Sequence, residues 1–225
     1  MNEGHPTSRI LLVLPPASAV RAAIASDLRV WAVVDPAVRT SDALAAAGLP
    51  ARRLLMASLA DPDALRTLLE RCAHVYGIDR IIHSECGTRS MLQPVLGSEA
   101  AALTAAKAAA VVREISRRLG WAVSELPGTA VLQRLLEQGG YQGPHLGDEP
   151  PAWPTFDVWT LSVDGMHIVT DVTAQRADVD ESDKDQARIR ATVRALLDLA
   201  GYRHGMVRTA VELTAQGCRI IDVTL

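Results

Sequence analysis

Two short stretches of this chain gather side chains able to do chemistry. The first is His83-Ser84-Glu85-Cys86, followed closely by Thr88 and Arg89. An imidazole or a carboxylate serves as general acid or base, and a thiolate as nucleophile. Arg89 adds a planar fork suited to a substrate carboxylate. A plainer reading is an ordinary strand-to-helix loop capped by Ser84 or Thr88. The second stretch lies near the C-terminus. Glu212 and Asp222 stand on two apolar runs either side of Ala215-Gln216-Gly217, as a metal-binding pair or as the solvent-facing members of a half-buried sheet. Arg203, His204 and Arg208 precede them, placed to hold an anion or to complement the end of a helix. Asp178, Asp180, Glu181, Asp183 and Asp185 have the charge of a calcium loop. They lack its glycine and terminal glutamate, so a solvated acidic loop is expected.

The first stretch needs a parallel sheet to position it. Apolar runs at 10–14, 30–34, 53–57 and 80–83 read as strands, and 18–27, 41–47 and 61–72 as helices. In the last helix, Asp61 caps, Pro62 takes the first turn, and Leu65, Leu68 and Leu69 form a stripe. Strands alternating with helices imply a doubly wound parallel sheet, which binds ligands at its strands' C-terminal ends. The turn after the first strand is Pro15-Pro16-Ala17-Ser18 rather than G-x-G-x-x-G, which argues against a dinucleotide site. Residues 99–119 form one Ala-rich helix, or two in succession, ended by Gly120. From there to Pro154 the chain is turn-rich, with a helical turn or two at 132–137 and an exposed loop at 138–147.

The pattern then changes. Residues 156–163 and 166–173 flank Asp164-Gly165, a strong hairpin signal. A helix is expected at 186–200, ended by Gly201, and a second hairpin over 207–214 and 219–223. The second half thus reads as α+β.

Composition narrows the function classes. The 225 residues are 48% hydrophobic but only 4% aromatic, so the core is aliphatic. A net charge of −3 argues against broad nucleic-acid binding. Cys72, Cys86 and Cys218 lie far apart, without C-x-x-C spacing, as free thiols in a reducing compartment do. No apolar run is long enough for a membrane span, and residues 1–9 are polar rather than signal-like. A cytoplasmic location, without membrane partners, is the expectation.

The order of these pieces resembles the ATP-grasp superfamily of carboxylate–amine ligases. The resemblance rests on the helix through Leu196-Leu197-Asp198-Leu199-Ala200, the turn Gly201-Tyr202-Arg203-His204-Gly205, Val211-Glu212-Leu213, a Gly217 turn, and Ile220-Ile221-Asp222-Val223-Thr224. The hairpin at 156–173 is similar to the strands that precede that helix, and residues 10–119 to the family's N-terminal domain. The resemblance implies an N-terminal Rossmann-like α/β domain (1–120), a short connector in place of the ATP-holding lobe (121–155), and a truncated ATP-grasp-like α+β domain (156–225). It also implies Mg²⁺ on Glu212 and Asp222, and ATP-dependent joining of a carboxylate to an amine.

Departures qualify the activity. The chain has only two lysines, Lys107 and Lys184, and none falls in 121–155, where the family draws cations for the triphosphate. Asp222 replaces a glutamate and Thr224 an asparagine. These changes argue against ordinary ATP use. The expectation is a shortened relative that binds a small carboxylate or amino-acid-like molecule, through Glu85, Thr88 and Arg89 on one side and Arg208, Glu212 and Asp222 on the other. Two alternatives are a non-catalytic partner or scaffold subunit of a complete ligase, and an ATP-independent enzyme using the 83–89 loop. Apolar surface left by the missing lobe, around Trp153, Pro154 and the 156–173 hairpin, points to a homodimer or a partner protein. Trp159 is expected in the core.

Overall fold

The computed structural model describes residues 8–121, 153–175, 182–214 and 217–225. The expected helical turn at 132–137, the loop at 138–147, and Asp178, Asp180 and Glu181 lie outside them. The chain divides into two compact units, Met1–Val123 and Ser124–Leu225. Among the described residues no helix is long and apolar enough to cross a membrane.

The first unit runs β1 (Arg9–Val13), α1 (Ala17–Ala25), β2 (Arg29–Val34), α2 (Ser41–Ala46), β3 (Leu54–Met56), α3 (Pro62–Tyr76), β4 (Arg80–His83), α4 (Glu85–Leu96) and α5 (Ser98–Arg118). Its sheet has the order β3-β2-β1-β4, with every pairing parallel. β1 and β2 are buried except at their first residues, as central strands covered on both faces must be. Both therefore read as unbroken apolar runs after their first residues. α1 packs on β2 and against α2, whereas α5 packs on β4 and against α3. The chain winds from β1 out to β3, then returns to place β4 on the other side of β1. The winding thus reverses between β1 and β4.

The Asp61 cap forms as expected: its Oδ1 accepts from the N–H groups of Asp63 and Ala64 at 3.1 and 3.0 Å. α4 is the main departure, because residues 85–96 were not expected to form a helix of their own. Gly87 and Pro94 lie inside it and mask its periodicity. Ser84 starts it by accepting from Gly87 N–H at 3.0 Å, and Gly97, at φ +79°, separates it from α5. Glu85, Cys86, Thr88 and Arg89 are therefore helical.

The second unit runs β5 (Thr155–Val163), β6 (Met166–Ala174), α6 (Asp183–Leu199), β7 (Gly205–Thr214) and β8 (Gly217–Thr224). Its antiparallel sheet has the order β6-β5-β7-β8. The β5–β6 turn has Asp164 and Gly165 at φ +53° and +85°, the two positive angles of a type I′ hairpin. α6 begins earlier than expected because Ser182 caps it, accepting from Asp185 N–H. Ile189, Val193, Leu196 and Leu197 of α6 close a core with Phe156, Val158, Val207, Val211 and Ile220. Trp159 is not part of this core. It is half-buried and alternates with Val158 onto the opposite face of the sheet. Register shifts at Trp159/Thr160 and at Ala210/Val211 bend the sheet.

Candidate functional site

In the first unit the candidate residues gather where the sheet reverses its winding. His83 ends β4 and lies beside Val13 of β1 in parallel register. The next residue of each strand is the start of its loop: Ser84, which caps α4, and Leu14. Leu14 is buried and adopts φ +46°, a left-handed conformation costing a leucine roughly 1–2 kcal/mol. Its N–H donates to Val33 O at 2.8 Å, which helps to hold the strained turn. His83 Nε2 and Thr88 Oγ1 are both buried and find no hydrogen-bond partner among the described residues. Burial, with a smaller contribution from the Arg113 cation, pulls the His83 imidazole down to about 4, so it is neutral at pH 7. Glu85 and Arg89 are four residues apart on α4, hence on one helical face. Glu85 is half-buried and Arg89 exposed, and neither has an ion-pair partner among the described residues. Cys86 between them is half-buried, whereas Cys72 and Cys218 are buried and burial raises both thiols.

In the second unit the sheet face away from α6 is polar at its centre. Arg208 Nη2 lies 2.7 Å from Asp157 Oδ1, and its Nη1 lies 3.9 Å from Asp222 Oδ2. Gln175 donates to the same Asp157 oxygen at 3.1 Å, and Thr224 donates to Asp222 at 3.0 Å. Glu212 is only 1% exposed. Arg219 Nε lies 2.8 Å from its Oε2. Across β7 and β8, Glu212 faces Arg219 and Asp222 faces Ala210. The two carboxylates are thus diagonal rather than opposed. Among the described residues no group of three or more His, Cys, Asp or Glu side chains converges as a metal site would.

Arg203 and His204 sit apart from that face. Both engage the β5–β6 turn: Arg203 Nη2 donates to Asp164 O at 3.2 Å, and Asp164 N–H donates to His204 Nδ1 at 3.2 Å. His204 precedes Glu212 by eight positions, roughly 26 Å along an extended strand. Arg208 to Glu212 is roughly 13 Å by the same measure. The cluster expected from sequence therefore divides into turn-locking residues and Arg208.

Other polar residues were not singled out from sequence. Ser162 Oγ is 2.8 Å from His167 Nδ1, and His167 Nε2 is 3.4 Å from Asp198. Ser162 has no exposed surface, so this chain ties the hairpin to α6 and offers no nucleophile. Asp35, buried at the end of β2, accepts from the N–H groups of Ala37 and Leu59 at 2.8 and 2.7 Å and fixes the following loop. Asp157 and Arg219 could have been found by alternation, since each is a charge between two apolar strand residues.

No protein-family model matches the chain, and no curated protein matches it. Solved structures similar to it include the L-amino acid ligase from Bacillus licheniformis, at 12% identity and TM-score 0.49, over 98% of this chain and 67% of that one. N5-carboxyaminoimidazole ribonucleotide synthetase from Thermotoga maritima is similar at 12% identity and TM-score 0.41, over 97% and 68%. Phosphoribosylglycinamide synthetase from Anaerococcus prevotii is similar at 13% identity and TM-score 0.38, over 97% and 68%. All three are named as ligases or synthetases. At these scores they give this chain no substrate and none of its residues a role.

Proposed function

We propose that this chain is a shortened ATP-grasp-like protein that binds a small carboxylate or amino-acid-like molecule at the C-terminal ends of β1 and β4. The observation that supports this reading most is the pair of buried polar atoms without a partner among the described residues, His83 Nε2 and Thr88 Oγ1, near the strained Leu14 at the same end of the sheet. Unpaired buried polar atoms and an unfavourable backbone both cost stability, and both are typical of sites built for a ligand. The winding reversal between β1 and β4 is also where open α/β sheets take their ligands. A neutral His83 would exchange a hydrogen bond with the ligand, Arg89 would grip a carboxylate, and Glu85 would balance an ammonium. Cys86 lies within the same first turn of α4. With no lysine in 121–155, the reading does not include ordinary activation by ATP.

The test is a thermal-shift screen of amino acids and small carboxylic acids, followed by calorimetry of hits. A hit whose affinity falls at least tenfold in Arg89→Ala, with the unliganded Tm unchanged, supports the reading. A screen without hits, or hits indifferent to Arg89→Ala and His83→Asn, overturns it. Micromolar binding of ATP·Mg²⁺ would instead restore a ligase activity. A second reading, a homodimer or partner subunit of a complete ligase, is favoured by one observation. Val95 and Leu103, at the α4–α5 junction, are 52% and 57% exposed. Light scattering that finds only monomer, with no co-purifying protein, would remove it.

A further inference from the structure

The face of the second unit that the family resemblance assigns to Mg²⁺ carries its own cations, and we infer that Arg219 occupies the electrostatic place of that ion. Four observations converge on this. Glu212 is almost wholly buried, and burying a carboxylate is costly unless a partner offsets it. Arg219 is that partner, its Nε 2.8 Å from Oε2, from the cross-strand position directly opposite. The residue facing Asp222 is Ala210, which brings no ligand atom. Asp222 is itself drawn into the Arg208–Asp157 pair and accepts from Thr224.

Mg²⁺ demands a near-octahedral shell of oxygens and usually keeps several of its waters. Glu212 is buried with one oxygen already against a guanidinium, which leaves it poorly placed to join a hydrated octahedral shell. A guanidinium also differs from a metal ion in kind. It is permanently charged, covalently tethered and unable to bridge two phosphate oxygens as a Lewis acid. The face therefore keeps its form without a divalent ion and does not take one up. This inference stands on the second unit alone and is independent of ligand binding at β1 and β4.

Titration of the full chain with Mn²⁺, followed by the paramagnetic signal of the free ion, tests it directly. The expected result is no saturable uptake, or weak uptake unchanged by Glu212→Gln and Asp222→Asn. Saturable uptake abolished by either substitution would overturn the inference. Thermal unfolding supplies the second measurement. Arg219→Met strands Glu212 and should lower Tm by roughly 6 °C or more, and adding Glu212→Gln to it should return most of the loss. If Arg219→Met leaves Tm unchanged, Glu212 does not depend on Arg219 and the inference fails.

Discussion

Replacing Gly205 by alanine should damage the second unit more than any ordinary glycine substitution. The reason lies in the turn Gly201-Tyr202-Arg203-His204-Gly205. Gly201, at φ +63°, ends α6 by donating to Asp198 O at 3.0 Å, while Tyr202 N–H donates to Leu197 O at 2.9 Å. That turn folds Tyr202 into the core, where it is 3% exposed. Its ring then lies over Gly205, whose φ is +138°. A Cβ on Gly205 would stand 1.8 Å from the tyrosine hydroxyl and 2.9 Å from Cζ. Overpacking of this sort costs about 1–3 kcal/mol, and the unfavourable backbone adds a comparable amount. A total near 3 kcal/mol would lower Tm by roughly 6–12 °C for a chain of this size. Gly201→Ala is the control. It meets no atom within 4 Å, so only its left-handed backbone matters, at roughly 1–2 kcal/mol. Circular dichroism melts of both variants would decide the matter. Tyr202→Phe in the Gly205→Ala background should recover part of the loss, since the nearest atom is then gone. The reasoning is refuted if Gly205→Ala is no less stable than Gly201→Ala.

Two further outcomes are expected. His83 is neutral in the folded state down to about pH 4 but ionises near 6.5 when unfolded, so its contribution weakens stability as pH falls from 6.5 to 4, by about 3 kcal/mol at most. Burial lowers His167 as well and adds the same slope to both proteins, so in urea titrations across that window wild type should lose more stability than His83→Asn as pH falls; parallel curves would contradict the assignment. For the thiols, N-ethylmaleimide should modify Cys86 alone in the native protein and all three cysteines after denaturation, read by mass spectrometry. Native labelling of Cys72 or Cys218 would show that their burial is not maintained.

Much of the fold was legible because local chemistry and tertiary structure agree. Asp61-Pro62 marks a helix start, Asp164-Gly165 a hairpin, and the unbroken apolar runs of β1 and β2 a sheet covered on both faces. α4 was not legible, since Gly87 and Pro94 contradict a helix that Ser84 nonetheless nucleates. Among the site residues, the grouping of His83, Glu85, Thr88 and Arg89 followed from their neighbourhood in sequence. The Glu212–Arg219 pairing was not implied by the expected turn at 215–217, which would set Thr214 opposite Cys218 and Glu212 opposite Ile220; the observed pairing of Thr214 with Gly217 moves the register by one and sets Glu212 opposite Arg219. The position of Asp222 was not implied, because the register shift that moves it opposite Ala210 has no local signature. Nor could spacing show that Arg203 and His204 belong to a different end of β7 from Glu212. An extended strand carries four residues across a distance that a helix would fold into a single turn.

The same register shift gives β8 an uneven tolerance to changes in its length. Ile220 pairs with Val211 and Asp222 with Ala210, so Ile221 is the residue without a counterpart on β7. Loss of one codon at that point would straighten the strand and leave each flanking side chain on its present face. Loss of one codon between Gly217 and Ile220 would instead push Cys218 or Ile220 out of the core and bring a charge in. Single-residue length variation in this strand should therefore be confined to the position of Ile221.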